Sequence, residues 1–238
     1  MPPFIQLMPQ FFDPVRFWVE IAYTVIVVLF CFLIYFKTRE SYELTKHKGI
    51  RYFRDAFLFF GLSYLMRFIT SAISLYFMGA EEGFPRGGLF PISLLLMSYL
   101  STIGIFYLLF SSMWKKVDNR YTLILGHVIA VLLSIVAFIT RSQDMLILLQ
   151  SALLILTTII IFITKKGMHK GITKEIKKDK KSISQTKILY GLILVLWLIN
   201  LWVIVPRGIM SFEIKIMLQL LSIIVFVLTY YKVSKWVK

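Results

Sequence analysis

Cysteine is all but missing from this chain. Its single copy, Cys31, excludes an intramolecular disulfide, so no covalent staple holds the fold. Histidine is almost as scarce. His47, His127 and His169 stand far apart, without the spacing that lets side chains share a metal, and no metal or other cofactor is expected. Acidic residues number 12 against 27 Lys and Arg. No pair of carboxylates falls inside an apolar run, and H-E-x-x-H and G-x-S-x-G are both absent, so a hydrolytic site lacks its base and its nucleophile; the reading is not an enzyme. Proline occurs seven times, at 2, 3, 9, 14, 85, 91 and 206, always outside the apolar runs or at their edges. Helices built from those runs are therefore unbroken.

What the chain has in quantity is apolar length. Of its 238 residues 58% are hydrophobic, and the mean hydropathy is +0.79. Seven stretches carry most of this: about 18–36, 53–77, 90–114, 121–140, 145–164, 188–205 and 214–233. Most reach the roughly 20 residues a helix needs to cross about 30 Å of hydrocarbon. With no water there to satisfy the backbone, helices are the expected form. The expectation is an all-α integral membrane protein, one bundle of seven transmembrane helices with no room for a separate soluble domain.

A net charge of +15 would suggest nucleic acid for a soluble protein. Here the positive charges fall in alternate connections, so no nucleic-acid partner is expected. Twenty-one Lys and Arg lie on one side: between stretches one and two, three and four, five and six, and at the C-terminus. Five lie on the other: Arg16, Arg86, Arg141, Arg207 and Lys215. Arg67 remains inside a stretch. The positive-inside rule then places the N-terminus outside and the C-terminus in the cytoplasm, which an odd number of spans requires. The first stretch lacks a basic leader and a small-residue cleavage site, so it reads as a span rather than a signal peptide. A prokaryotic cell membrane is the default location.

The outer connections are short, which makes consecutive helices neighbours. Two inner connections are longer, the mixed-charge segment 37–51 and the basic loop 165–187. Lysines beside a bilayer attract anionic lipid headgroups at about 1 kcal/mol each. The bland reading is a solvated loop that fixes topology; the functional one is docking of a cytosolic or membrane protein partner. Pro85-Arg86-Gly87 and Pro206-Arg207-Gly208 recur between stretches two and three and between six and seven. Either this is coincidence or the chain holds two parallel three-helix units joined by the fourth stretch.

Arg67 is the most informative residue. Near the middle of a span its charge costs at least about 2.5–3.5 kcal/mol. Ser63, Arg67, Ser71 and Ser74 repeat at helical spacing and form one polar face directed into the bundle. By helical rise Arg67 lies roughly 15 Å below the outer end of its span, Asn200 roughly 8 Å, Gln150 and Gln219 roughly 9–10 Å, and Glu20 about 3 Å. Arg67 should thus approach the amides but not Glu20 unless the helices tilt. The candidate ligand-binding set is Arg67, Ser63, Ser71, Gln150, Asn200, Gln219 and Glu20, lining a polar vestibule in the outer half. The alternative is that each amide bonds a neighbouring helix on its own. Trp18, Trp114, Trp202, Trp236, Tyr230 and Tyr231 read as interfacial belts. Trp197 and His127 read as packing residues.

The plan of seven spans with an outside N-terminus resembles the rhodopsins and seven-helix receptors. Retinal is not expected: that family attaches it to a Lys in the middle of the last helix, whereas Lys215 stands at the outer edge of the seventh stretch. D-R-Y and N-P-x-x-Y are also missing. The plan is similar to the three-plus-one-plus-three sugar transporters as well, though those use proline within their helices. It is also similar to the seven-helix input modules of sensor kinases. The leading expectation is a receptor- or sensor-like bundle binding a small polar or anionic ligand in its outer half and signalling through its basic cytoplasmic face. A small-solute transporter with two three-helix repeats and a non-catalytic scaffold subunit are the alternatives.

Overall fold

A computed structural model describes residues 14–79, 89–114, 119–140, 143–170, 179–204 and 210–237. All of the regular structure in these residues is α-helical. Seven helices follow in order: α1 Pro14–Thr45, α2 Lys48–Gly79, α3 Leu89–Ser112, α4 Arg120–Thr140, α5 Gln143–Lys170, α6 Asp179–Val203 and α7 Phe212–Val237. Six are long and apolar enough to cross a membrane; in α6 the apolar part is the shorter run Ile188–Val203. This is a helical membrane protein, and its burial pattern agrees. Large side chains such as Ile124, Val131, Leu132 and Ile135 of α4 face outward, while Gly126, Ala130, Ser134 and Ala137 are buried. Lipid takes the place of a core for the outward residues, and small residues let helices approach closely. At Gly126 a Cβ would sit 2.9 Å from Phe110 Cζ, so any larger residue there would force the Phe110 ring to shift.

Every consecutive pair of helices packs together, as the short connections imply. α2 packs between α1 and α3, and α6 between α5 and α7. Contacts of α1 with α7 and of α3 with α5 close these six into a ring, with α4 packed outside on α3 and α5. α2 and α6 face one another across the ring without close backbone approach among the described residues. Rings fill the gap: Phe57 and Phe60 lie 6.1 and 4.4 Å from Trp197, and Phe53 lies 6.2 Å from Tyr190, centroid to centroid. Both copies of Pro-Arg-Gly lie outside the described residues.

One expectation is corrected at the α1–α2 connection. The segment 37–51, taken as a loop, is almost wholly helical. α1 and α2 each run 32 residues, about 48 Å at helical rise and well beyond about 30 Å of hydrocarbon. Pairs at i, i+3 and i, i+4 account for the extension: Lys37–Glu40 at 2.6 Å, Arg39–Glu43 at 2.7 Å and Arg51–Asp55 at 3.9 Å. The chain reverses at Lys46, whose φ of 52° is left-handed. Similarly, α5 continues to Lys170 and α6 begins at Asp179, so helix takes up both ends of the basic loop.

Candidate functional site

Polar side chains from four helices converge between α1, α2, α6 and α7. Helical spacing brings them there: Glu20 and Tyr23 on α1, Tyr64 and Arg67 on α2, and Lys215, Gln219 and Ser222 on α7 lie three or four residues apart within each helix. Asn200 of α6 is the centre of the group. Its Oδ1 accepts from the Tyr23 hydroxyl at 2.7 Å and from the Tyr64 hydroxyl at 2.6 Å. Its Nδ2 donates to the Leu196 carbonyl at 2.7 Å and to Ser222 Oγ at 3.0 Å. Tyr23 also reaches Ser222 Oγ at 2.9 Å. Both lone-pair directions and both amide protons of Asn200 are therefore occupied. Asn200 is 1% exposed, Ser222 0%, and the two tyrosines are buried. This network joins α1, α2, α6 and α7 by side chains alone.

One turn toward the N-terminus of α1 the network meets charge. Glu20 Oε1 accepts from Lys215 Nζ at 2.7 Å, and Glu20 Oε2 lies 3.8 Å from Arg67 Nη2. These three side chains are partly shielded, 25%, 12% and 19% exposed respectively. Nη1 of Arg67 is buried and has no hydrogen-bond partner. Among the described residues, Arg67 and Lys215 thus both stand beside Glu20. The guanidinium is held near its neutralising charge but at a distance beyond a charge-assisted hydrogen bond, which runs about 2.7–2.9 Å.

The Arg67–Glu20 pairing corrects the depth estimate. Helix α1 continues beyond the apolar stretch to Pro14, so Glu20 lies about 9 Å from the helix end although only about 3 Å inside the stretch. The long arginine stem makes up much of the remaining difference by reaching along the helix toward the polar end. The other candidates divide. Asn200 joins the cluster, and Gln219, buried, lies between Lys215 and Ser222 on the same face of α7. Ser63 is buried but donates to the Phe60 carbonyl of its own helix at 2.7 Å. Ser71 is half-buried one turn beyond Arg67. Gln150 lies elsewhere: its amide donates to Ser101 Oγ and, at 3.5 Å, to Thr102 Oγ1, joining α5 to α3.

Sequence reasoning passed over Tyr23, Tyr64, Lys215 and Ser222. Extending the three-and-four spacing from Glu20, Arg67 and Gln219 to tyrosine and serine would have found three of them. Lys215 was counted as an outer-edge charge. A second group at the opposite ends of the helices was also passed over. Ser111 Oγ donates to the Gly49 carbonyl at 2.8 Å and lies 2.6 Å from the Tyr190 hydroxyl, linking α2, α3 and α6. Nearby, Arg54 bonds Asp55 at 2.8 and 2.9 Å, with its guanidinium 5.2 Å from the rings of Tyr35 and Tyr42.

His127 is tied to α3, its Nδ1 2.9 Å from the Tyr99 hydroxyl and its Nε2 3.5 Å from that of Tyr107. Trp197 is 1% exposed, and its indole Nε1 has no hydrogen-bond partner. Of the aromatic belt, Trp18, Trp202 and Tyr231 are exposed, whereas Trp114 packs against His47 with ring centroids 4.4 Å apart.

No family model matches the chain, and no solved structure matches it. The chain is similar, at 26% identity over 238 residues and 99% of both chains, to a protein of Archaeoglobus fulgidus described only as uncharacterized.

Proposed function

We propose that this protein is a receptor- or sensor-like membrane bundle that binds a small anion beside Arg67 and passes the change to its opposite, basic end. The observation that carries this reading is the buried Nη1 of Arg67, which has no hydrogen-bond partner beside Glu20 and Lys215. A charge deep in a span is costly unless something compensates it, and Glu20 at 3.8 Å does so in part. An anion at the guanidinium would complete the compensation. The same polar network joins the anion site to α1, α2, α6 and α7, so a shift at Arg67 reaches four helices through Tyr64, Asn200 and Tyr23. No chemical step is assigned.

In this proposal the N-terminus is outside and the Lys-rich 165–187 segment lies at the cytoplasmic face of a prokaryotic cell membrane. There it meets anionic headgroups or a protein partner. Cys31 is buried, so introduced cysteines report orientation without background. Ser142→Cys should label from outside, and Glu40→Cys only after permeabilisation; the reverse pattern overturns the orientation.

Thermal unfolding of the purified protein tests the site. Acetate, phosphate and sulfate are added in turn to wild type and to Arg67→Leu. An anion that binds the folded state raises the midpoint, by about 2.7 kcal/mol of stability at a hundred times its dissociation constant. Arg67→Leu should lose that rise while keeping its own stability within about 1 kcal/mol, because Glu20 retains Lys215 and the desolvation cost of Arg67 disappears. A wild type indifferent to all three anions rejects the site and leaves the scaffold reading.

One observation favours the transporter alternative. The two three-helix units share a packing order, middle helix between the outer two, and the α1–α7 and α3–α5 contacts correspond under exchange of the units. Anion-dependent uptake into proteoliposomes, lost in Arg67→Leu, would select it.

A further inference from the structure

We infer that the ligand presents a carboxylate, and that Glu20 is an internal competitor that sets the affinity for it. The inference rests on the anion-site reading above and deepens it. Three features of the cluster lead to it.

The first is geometry. Arg67 offers a planar fork of N–H donors, the shape that a carboxylate meets with two parallel hydrogen bonds. That fork is not filled. Glu20 Oε2 stands 3.8 Å from Nη2, beyond hydrogen-bond distance, and Nη1 has no hydrogen-bond partner. The second feature is charge. Arg67 and Lys215 both stand beside Glu20, so two cations favour an anionic ligand there. The third is that Glu20 has another partner. Its Oε1 bonds Lys215 Nζ at 2.7 Å, so Oε2 can yield the guanidinium to an incoming carboxylate while Glu20 stays paired. The bound state then holds two ion pairs, Lys215 with Glu20 and Arg67 with the ligand. Glu20 keeps the guanidinium compensated when the site is empty, and its negative charge opposes the ligand when the site fills.

A carboxylate can arrive from water or from the bilayer, and the test separates the two sources. The full-length protein is placed in phosphatidylcholine nanodiscs without anionic lipid, and binding is measured by calorimetry with propionate, oleate and inorganic phosphate. Wild type, Glu20→Gln and Arg67→Lys are compared, with Glu20→Asp added so that the conclusion survives if Glu20→Gln fails to fold. Binding of propionate assigns an aqueous ligand; binding of oleate alone assigns one from the bilayer. Glu20→Gln should bind the effective carboxylate roughly fivefold more tightly, the equivalent of losing one modest ion-pair competitor. Glu20→Asp, its carboxylate drawn back from Arg67, should shift affinity the same way by less. Arg67→Lys, which keeps the charge but loses the fork, should bind at least about tenfold more weakly.

The outcomes separate the two claims. Phosphate binding as tightly as either carboxylate overturns the ligand class but leaves the anion site. Unchanged or weaker binding in both Glu20 variants overturns the competitor role. No binding of any probe, or affinity indifferent to Arg67→Lys, overturns the anion site itself and this inference with it.

Discussion

The two ends of the α2–α6 seam are closed by the same kinds of side chain, tyrosine with a small polar partner, yet they are built for different tasks. At the Asn200 end the hydrogen bonds are fully satisfied among Tyr23, Tyr64, Asn200 and Ser222, but the charged layer next to them is not. At the Tyr190 end the link is backbone-anchored, since Ser111 holds the Gly49 carbonyl, and the nearby guanidinium of Arg54 is bonded twice to Asp55 and flanked by two rings. The comparison teaches where to look for a ligand. A shielded cation bonded twice to a carboxylate is structure, whereas one with a buried nitrogen bonded to nothing leaves the hydrogen-bond pattern incomplete.

The strongest way to break the contrast is Asn200→Leu. It removes the acceptor of two buried tyrosine hydroxyls and the donor to Ser222 in a single step. Each orphaned group costs about 1–3 kcal/mol, although bonds within membranes average closer to about 0.6 kcal/mol because the unfolded helices also find partners. A net loss of about 2–4 kcal/mol is expected, read as a lower unfolding midpoint in detergent. A midpoint unchanged from wild type would mean that the α1–α2 and α6–α7 pairs are held together by packing alone.

At the other end the corresponding change should be milder. Tyr190→Phe removes one hydroxyl but leaves Ser111 bonded to the Gly49 carbonyl, so about 1 kcal/mol is expected. Sterics probe that end separately. A Cβ at Gly49 would meet His47 Cε1 at 2.9 Å and Trp114 Cδ1 at 3.0 Å. The imidazole can move, so Gly49→Ala should also cost about 1 kcal/mol, near the lower limit for overpacking. If either variant matched Asn200→Leu, the proposed asymmetry between the ends would be gone.

Hydropathy and charge made the helices legible, because a span must be long, apolar and internally hydrogen-bonded whatever its neighbours are. They did not reveal that α1 and α2 continue past the apolar runs. Window averages drop at Lys37 and Glu40, whereas the i, i+4 pairs that keep the helix going belong to a different signal. Within the site, Arg67, Asn200 and Glu20 announced themselves as polar residues in apolar surroundings. Tyr23 and Tyr64 did not, since a tyrosine in a span is as ordinary at a lipid interface as in a buried network. Gln150 was drawn into the same vestibule because depth along a helix says nothing about direction around the bundle; its partners turned out to be on α3.

The smallest effect belongs to the helical extension at the α1–α2 connection. Arg39 and Glu43 are about half exposed and pair at 2.7 Å across one turn of α1. Water and mobile ions screen such a pair, so its removal should leave the unfolding midpoint of the whole bundle unchanged. Its effect is local. Arg39→Ala should quicken amide hydrogen exchange in residues 40–45, the last turns of α1, and leave exchange around Tyr23 and Val27 as it was. Salt sharpens the test, because at about 1 M the screening length falls to about 3 Å. Wild type in 1 M sodium chloride should then exchange in 40–45 much as Arg39→Ala does at low salt, and the variant should respond less to the added salt. Exchange in that segment that is slow and indifferent to both the mutation and the salt would show that packing against α2 holds the extension. The α1–α2 end would then be structural throughout, and more firmly built than its charge pairs suggest.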